Sequence, residues 1–392
     1  MKLDDVLRHR LLERERQHLL RYRQQMCGPQ SPEVINQQQA MINFCSNDYL
    51  GLANHPAVIR SFQQASRNHG VGSGASHLVC GHHELHNQLE EALAAFTGYE
   101  KVLLFSSGYM ANLGVINALT TKGDYILQDK LNHASLIDGG LISQAQFRRY
   151  THADIGQLEK RLQNCSLEQH KLVVTDGVFS MDGDIAPLPE LVDSVTKHDA
   201  WLMVDDAHGF GVLGATGKGI IQHFGLSPEQ VPILVGTLGK AFGTYGAFVA
   251  GSKMLIEALI QFARTYIYTT ALPAALAAAS LTSLRLIQEE SWRRSHLQQL
   301  ITFFRHEVSL QGWQLLPSCT PIQPVLVGDA DRCVQISHQL QKRGFWVTAI
   351  RSPTVPQGTA RLRITFSAEH TMEQVEQLID ALANIKGLQE PL

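Results

Sequence analysis

The sequence predicts an α/β protein in which helices cover a mostly parallel central sheet and a smaller C-terminal α+β domain follows. Between about residues 95 and 255, short apolar runs alternate with segments of helical periodicity. Runs this apolar are typical of strands buried on both faces, as in a parallel sheet covered by helices. The C-terminal quarter instead alternates long helical segments with short apolar runs. Hydrophobic residues make up 44% and charged residues 18% of the chain, which excludes an intrinsically disordered protein.

Residues 1–45 are predicted to form a helical arm ahead of the main domain. Four leucines follow helical spacing and predict an amphipathic helix: Leu3, Leu7, Leu11 and Leu12. The polar stretch Gly28–Gln39 contains two prolines, and we expect it to be a linker. The N-terminus mixes acidic and basic residues without an apolar segment, which argues against a signal peptide or a transit peptide.

Residues 46–288 are predicted to form the main domain and to carry the parallel sheet. Its strands are expected at six apolar runs: KVLLF, YILQD, KLVVTD, WLMVDD, PILVG and GAFVAG. The most apolar long stretch, LPAALAAASLTSLRLI, has Pro273 in its first turn and contains Arg285. These two residues favour a helix of a soluble domain over a membrane span.

Residues 289–392 are predicted to form the smaller α+β domain. Helices are expected at Trp292–Gln311, Asp331–Gly344 and Thr371–Ile385. They alternate with three short strands, in the segments PIQPVLVG, FWVTAI and TARLRITF.

Charge and cysteine content exclude several classes of function. The chain has 33 Lys and Arg against 36 Asp and Glu, a net charge of −3, so it lacks the basic excess of a general nucleic-acid or anionic-membrane binder. The six cysteines are scattered without a CxxC pair, which argues against a disulfide framework and against a zinc site. Such cysteines fit a reducing compartment, and we expect a cytoplasmic protein.

Polar residues follow the apolar runs at the points where the strands are expected to end. Ligands of open α/β sheets bind beyond the carboxyl ends of the strands. The residues at these ends are Ser106, Ser107, Gly108, Tyr109, Asn132, His133, Ser180, Asp205, His208, Thr237 and Lys240. Each of them alone could be a helix cap or a solvated loop residue. Together they predict a single site.

The residue types at this edge fit pyridoxal phosphate (PLP). Ser-Ser-Gly before a helix offers hydroxyls and backbone N–H groups to a phosphate. Asp205, at the end of a buried strand, can face a ring nitrogen. Lys240 lies among small and apolar residues and could be desolvated enough to act as an amine nucleophile. Phosphate, ring nitrogen and aldehyde are the three groups by which PLP is held.

Four competing motifs lack the context that they require. The GxGxxG match at Gly209–Gly214 follows a strand but does not open a helix, and no acidic residue ends a strand about 20 residues later. Lys240 lacks the glycine and the hydroxyl residue of a phosphate-binding loop. The segment His82–His86 has Asn87 where HExxH requires its second histidine, so a solvated helix start is favoured and no metal site is predicted. His208 and Asp205 lack a nucleophilic serine in an elbow motif.

Several segments resemble the α-oxoamine synthases, which are fold-type-I PLP-dependent transferases: NFCSNDYLGL, SSGYMAN, NHASLIDG, DGVFSMDGDIAPL, VDDAHGFGVLG and TLGKAFG. The resemblance extends from about residue 20 to the C-terminus. It implies a homodimer with shared active sites that condenses an amino acid with an acyl thioester and releases carbon dioxide. The segment AIRSPTVPQGTARLRITFSAEHT is most similar to members that join L-alanine to pimeloyl-CoA or pimeloyl-acyl carrier protein in biotin biosynthesis.

The resemblance implies a role for each residue of the site. Lys240 matches the lysine that binds the cofactor aldehyde and serves as the base, and Asp205 matches the partner of the ring nitrogen. His133 matches the histidine that stacks on the ring and borders the substrate. His208 and Ser180 match residues beside the phenolic oxygen of the ring.

The remaining matches lie at the phosphate and at the substrates. The phosphate end matches Ser107, Gly108, Tyr109 and Thr237, together with Thr269 and Thr270 from the other subunit. The acyl substrate matches Arg21 and Thr354, and the amino-acid carboxylate matches Asn47 and Arg363. Three positions depart from many relatives: Tyr109 replaces a phenylalanine, and Ala75 and His77 stand where glycine and often arginine occur.

Alternatives to these roles remain open from the residues themselves. Arg21 could lie on a solvated helix face, and Asn47 could be a turn residue. Arg361 and Arg363 share one face of a strand and could form surface ion pairs.

Two other functions also remain open. One is an α-oxoamine synthase that uses glycine, such as 5-aminolevulinate synthase or glycine C-acetyltransferase. The other is a non-catalytic scaffold of the same fold, against which the presence of Lys240 and Asp205 argues.

Overall fold

The N-terminal arm is more structured than the sequence predicts. The structure is a computed structural model that describes residues 2–16, 19–36 and 38–387. Helix α1 (Leu3–Arg16) contains no buried residue, and its leucines are exposed. Strands β1 (Met26–Cys27), β2 (Glu33–Asn36) and β3 (Gln39–Asn43) then form antiparallel pairs.

The interpretation of residues 28–39 as a linker is therefore wrong. In β2, alternate residues are buried, and Val34 and Asn36 point inward. β3 also pairs in parallel with the C-terminal strand at residues 345–346, which satisfies its outer edge. The prolines at positions 29 and 32 precede the paired residues of β2, where they remove no ladder hydrogen bond.

Seven strands form the central sheet: β4 (Lys101–Phe105), β5 (Tyr125–Asp129), β6 (Gln146–Tyr150), β7 (Lys171–Asp176), β8 (Trp201–Asp205), β9 (Ile233–Thr237) and β10 (Ala247–Gly251). Their order is β4-β10-β9-β8-β7-β5-β6. β10 is antiparallel to β4 and β9, and the other four pairs are parallel. This arrangement confirms the mostly parallel sheet, and it adds β6 to the predicted strands.

Both faces of the sheet are buried, as the apolar runs predict. In β8, Leu202 and Val204 join one hydrophobic cluster and Met203 joins the other. The elements around the sheet are α2 (Pro56–His69), a π-helical turn (His77–Gly81), α3 (Glu84–Thr97), α4 (Gly108–Leu119), α5 (Ala134–Ile142), α6 (Ile155–Gln163), α7 (Leu188–Lys197), α8 (Ile220–Phe224), α9 (Lys253–Phe262), α10 (Arg264–Ile267) and α11 (Ala274–Glu289). In the described residues, no helix has the length and apolar character needed to cross a membrane.

The C-terminal part forms its own antiparallel sheet with three helices. Its elements are α12 (Trp292–Leu310), β11 (Gln314–Leu315), β12 (Ile322–Gly328), α13 (Ala330–Lys342), β13 (Phe345–Trp346), β14 (Thr348–Ile350), β15 (Ala360–Thr365) and α14 (Met372–Gly387). The sheet order is β11-β12-β15-β14. The run FWVTAI, expected as one strand, is divided: β13 pairs with β3, and β14 pairs with β15.

One hydrophobic cluster extends from the central sheet into the C-terminal elements, and it includes Leu104, Phe304 and Phe366. The buried Arg293 of α12 donates a 2.9 Å hydrogen bond to the carbonyl of Leu50. The domain boundaries at residues 45 and 288 therefore stay a prediction.

Candidate active site

The polar ends of five strands surround one cavity of about 190 Å³. Its lining contains eight residues predicted to bind a cofactor: Gly108, Tyr109, His133, Ser180, Asp205, His208, Thr237 and Lys240. Four more residues complete it: Asn112, Ser135, Asp176 and Ala207. The structure thus brings together residues that are far apart in the sequence, because the strands that carry them end at the same edge of the sheet.

Two carboxylates lie side by side at the floor of the cavity. Asp176 ends β7 and Asp205 ends β8, and the two residues are paired in register. Asp205 is held through both oxygens, since Asn112 Nδ2 lies 2.6 Å from Oδ2 and the backbone N–H of Ala207 donates to Oδ1 at 3.0 Å. Burial, together with the charge of Asp205, raises the pKa of Asp176 well above its ordinary value. The raised pKa favours the neutral form of Asp176.

Lys240 is the amine of the cavity and is held by a histidine. Its Nζ lies 2.8 Å from His208 Nε2, and His208 Nδ1 lies 2.6 Å from the hydroxyl of the buried Tyr49. Burial lowers the pKa of Lys240 to about 8 and lowers the pKa of His208 well below its ordinary value. A neutral His208 accepts from Lys240, and the amine is partly unprotonated near neutral pH.

The hydrogen bonds continue from Tyr49 to the predicted carboxylate-binding residues. The hydroxyl of Tyr49 donates to Asn47 Oδ1 at 3.1 Å, and Arg363 Nη2 donates to the same oxygen at 3.1 Å. Arg363 Nε also donates to the carbonyl of Ser180 at 2.6 Å. In the part of the chain that the structure describes, Arg363 forms no salt bridge, whereas Arg361 pairs with Asp182. Only Arg361 therefore forms the ion pair considered for both arginines, and the buried Arg363 keeps its charge available for an anion.

The phosphate-binding prediction rests on the start of α4. Ser107 caps this helix, accepting a 3.3 Å hydrogen bond from the backbone N–H of Met110, and Gly108 follows with open space around its Cα. Helix N-termini favour anions through their free N–H groups. The hydroxyl of Thr237 faces the cavity but is bonded in its own turn, to the carbonyl of Gly246 at 3.1 Å.

His133 also lines the cavity. Its side chain is exposed, and its Nδ1 lies 2.7 Å from the hydroxyl of Ser135. Its backbone N–H donates to Asp176 at 2.6 Å. Asn112 also donates to the hydroxyl of Ser135 at 2.9 Å, so one amide orients both Asp205 and the loop of His133.

A second cavity, of about 420 Å³, adjoins the first at Lys240. Its lining includes Asn47, Cys45, Gly239 and Trp346. The lysine therefore borders both spaces, one lined by residues predicted to bind the phosphate and the ring and the other by a predicted substrate residue. This arrangement suits an amine that acts between a cofactor and a substrate.

Seven predicted residues do not line the first cavity: Ser107, Asn47 and Arg363, which are described above, and four more, Arg21, Thr354, Thr269 and Thr270. Arg21 is exposed in an irregular segment after α1, and Thr354 is exposed in the loop before β15. Thr269 and Thr270 follow α10, and Thr270 pairs with Ser76. Their predicted contacts involve the acyl substrate or the other subunit, and these four roles stay predictions.

Sequence reasoning missed Tyr49, Asn112, Ser135 and Asp176. Asp176 ends an apolar run just as Asp205 does, so the same signal identifies it. Asn112 lies four residues after Gly108 in α4, which places both on one helix face. Tyr49 carried no such signal, because its role depends on contacts with residues that are distant in the sequence.

These residues fit PLP by their chemistry: a helix N-terminus for a phosphate, a buried carboxylate for a ring nitrogen, and an amine of lowered pKa for an aldehyde.

Comparisons with known proteins agree with this site. A family model described as aminotransferase class I and II matches residues 39–382. The 8-amino-7-oxononanoate synthase of Cellvibrio japonicus is 57% identical over 383 residues, covering 98% of this chain and 96% of that protein. The protein of the same name from Pseudomonas syringae pv. tomato is 58% identical over 376 residues, covering 96% of this chain and 94% of that protein.

Solved structures also match this chain. A serine palmitoyltransferase from S. paucimobilis with bound PLP matches with a TM-score of 0.94 at 32% identity, covering 99% of each chain. An 8-amino-7-oxononanoate synthase from Francisella tularensis matches with a TM-score of 0.78 at 34% identity, covering 89% of this chain and 98% of that chain.

Proposed function

Because the chain belongs to the aminotransferase class I and II family, and within it to the 8-amino-7-oxononanoate synthases, we propose that it condenses L-alanine with a pimeloyl thioester. The products are 8-amino-7-oxononanoate, carbon dioxide and the free thiol. The protein is a PLP-dependent acyltransferase of biotin biosynthesis. The observation that carries the proposal is the near full-length identity of 57–58%, combined with a lysine of lowered pKa between two cavities.

PLP, when bound, supplies a ring that withdraws electrons from the α-carbon of the amino acid. We infer that Asp205, fixed by Asn112, keeps negative charge beside the ring nitrogen throughout the reaction. Arg363 and Asn47 hold the carboxylate of L-alanine, which orients the α-hydrogen toward Lys240. An interaction that strengthens only as charge develops lowers the barrier rather than tightening substrate binding.

Lys240 moves the protons in this proposal. Its unprotonated amine takes the α-proton of L-alanine, and His208 fixes the position of its nitrogen. A new carbon–carbon bond forms at the thioester carbonyl as the thiolate leaves. The former carboxylate then departs as carbon dioxide, and the proton is returned to the carbon. The amine thus takes one proton from the α-carbon and returns one to it. The leaving thiolate takes up a proton from solvent, which balances the reaction.

We also propose a homodimer. Three exposed apolar side chains lie close in sequence to the Ser76–Thr270 contact: Val71, Val79 and Tyr268, with exposed fractions of 81%, 77% and 71%. Apolar surface of this kind is typical of an interface. A second copy covering it would support the predicted contribution of Thr269 and Thr270 to the neighbouring site. The six free cysteines support our proposal of a cytoplasmic location.

Thiol release tests the function directly. We expect PLP-loaded protein to release thiol with L-alanine and pimeloyl-CoA, and to do so at least tenfold faster than with glycine and succinyl- or acetyl-CoA. L-serine with palmitoyl-CoA belongs in the same series because of the structural match to a serine palmitoyltransferase. The same assay with pimeloyl-acyl carrier protein in place of pimeloyl-CoA shows which of these two thioesters the protein uses as acyl donor. A preference for glycine, or for serine with palmitoyl-CoA, would overturn the proposal.

Lys240→Ala is the matched variant for this assay. It should bind L-alanine in the presence of PLP but release no thiol, since no other amine lines the cavity in the described chain. Lys218→Ala, at a lysine outside the cavity, is the control and should retain turnover. Turnover by Lys240→Ala close to that of the unchanged protein would contradict the assigned role.

A further inference from the structure

A group of histidines lies between α2 and α3, apart from the active-site cavity. His77, His82 and His86 each offer a ring nitrogen, and these three nitrogens lie within 4.8 Å of one another. His77 Nδ1 is 2.7 Å from His82 Nδ1. The ring centroids of the three side chains are 5.0–5.4 Å apart. The three imidazoles therefore converge on one point.

The outer nitrogens of two rings are already held. His82 Nε2 lies 2.7 Å from Asn87 Oδ1, and His86 Nε2 lies 2.6 Å from the carbonyl of Leu272. Both partners are acceptors, so both Nε2 atoms carry hydrogen and both Nδ1 atoms carry lone pairs; that of His82 faces His77 Nδ1 and that of His86 accepts from the backbone N–H of His83. Histidines that bind metals usually donate their second nitrogen to an amide or carbonyl oxygen in this way.

The Nδ1 atoms have hydrogen-bond partners that a bound cation would replace. With His82 Nδ1 as an acceptor, the short contact to His77 requires a proton on His77 Nδ1, and a metal ion would displace that proton. His86 Nδ1 accepts a 2.9 Å hydrogen bond from the backbone N–H of His83, which an ion would also replace. No carboxylate has to enter, because imidazole alone suits late transition metals.

The local backbone places these rings. A π-helical turn at His77–Gly81 folds the chain back onto the start of α3, and such turns occur often at functional sites. A Cβ at Gly81 would lie 2.2 Å from the carbonyl of Ala75, so only glycine permits this close approach. The ring of His77 stacks on Tyr266 at 5.1 Å and 10°, which fixes its plane. His82 is exposed, so the group is open to solvent.

We propose that His77, His82 and His86 bind one divalent transition-metal ion of the zinc, nickel or copper class, with a water in the remaining position. Three nitrogen ligands and a water are a common arrangement for zinc. The spacing of the three histidines does not match the HExxH pattern, because His77 comes from the π-helical turn rather than from the helix.

Such an ion would act on a segment beyond the three histidines. His86 is bonded to Leu272, and Ser76 pairs with Thr270. The metal would thus fasten residues 76–86 to the stretch that carries Thr269 and Thr270. The ion takes no part in the proposed condensation, so the two proposals fail or succeed separately.

Equilibrium dialysis of PLP-loaded protein against zinc, followed by elemental analysis, tests the site. We expect one tightly held zinc per chain. His82→Gln should weaken binding by roughly 100-fold, because even loss of an outer partner of a ligand costs 10–100-fold. His306→Gln is the control, since His306 is exposed in α12 and pairs with Glu307. Cobalt in place of zinc should give the visible absorption of a tetrahedral site in the unchanged protein and in His306→Gln, but not in His82→Gln.

A neighbouring group, His69, His83 and Glu84, also has its ligand atoms within 4.8 Å and serves as the competing site. Zinc binding that is lost in His69→Gln but kept in His82→Gln would place the ion there and overturn the proposal. Equal binding in the unchanged protein and in His82→Gln, or no binding at micromolar zinc, would overturn it as well.

Discussion

Lys240 and Arg363 act on the same substrate in our proposal, and they are joined by three side chains. His208, Tyr49 and Asn47 form an unbroken series of hydrogen bonds between them. Tyr49 is completely buried, and burial raises its pKa to about 12, so it stays a hydroxyl at any working pH. The hydroxyl of Tyr49 holds the ring of His208 in place through Nδ1, and His208 Nε2 in turn holds the amine of Lys240.

The lowered pKa of Lys240, about 8, predicts how PLP uptake depends on pH. Only the unprotonated amine reacts with the aldehyde, so the rate should rise as the pH increases through 8 and level off above it. An ordinary lysine, with a pKa near 10.4, would still be gaining rate at pH 9. Stopped-flow absorbance of PLP-free protein mixed with PLP measures this rate. A rate that still rises tenfold per unit at pH 9 would contradict a lowered pKa.

Asn112 is predicted to position the catalytic carboxylate. Asn112→Ala removes the 2.6 Å hydrogen bond to Asp205, and we expect kcat/KM to fall about 10- to 100-fold, the range for one lost hydrogen bond to a charged group. Asn117→Ala is the matched control, since Asn117 lies in the same helix and bonds only backbone carbonyls. Steady-state kinetics and PLP affinity measure the effect. An equal loss of activity in both variants would mean that α4 is merely destabilised.

At the level of elements, the arm and the C-terminal part share a sheet. β3 pairs with β13, while α1 buries nothing in the described chain. Removing residues 1–16 should therefore change the free energy of unfolding by less than about 0.5 kcal/mol. Val34→Ala, which removes buried methyl groups from β2, should lower it by about 2 kcal/mol. Urea unfolding compares the two. A loss above 1 kcal/mol on removing α1 would show that its leucines are covered, as a second copy of the chain would cover them.

The strands that the sequence predicts well are those in which nearly every residue is buried. β7 and β8 are apolar along their length, so composition alone identifies them. β2 was missed because only alternate residues face inward, and one of them is the polar Asn36. The site was predicted where it depends on strand ends, and missed where it depends on packing, as at Tyr49. The structure of a single chain does not test residues that are predicted to contact another subunit or a substrate.

At the level of the whole molecule, one hydrophobic cluster joins the central sheet to the C-terminal elements. We expect both parts to unfold together, because the C-terminal elements share this cluster with the central sheet. Two variants test this, one keeping only Trp201 in β8 and the other keeping only Trp313 beside β11. Their fluorescence should give urea transitions with the same midpoint. Separate midpoints would show that the two parts unfold independently.

The place of β10 has a consequence for how the protein is made. β4 is the first strand of the sheet to be synthesised, and its only partner there is β10, the last. Phe105 pairs with Ala247, which is synthesised 247 − 105 = 142 residues later. Chains emerge from the ribosome from the N-terminus onward, and contacts over such distances form slowly. We therefore expect the predicted phosphate-binding turn after β4 and Lys240 to come together only after β10 has been synthesised. We accordingly expect incomplete chains that lack β10 to bind no PLP.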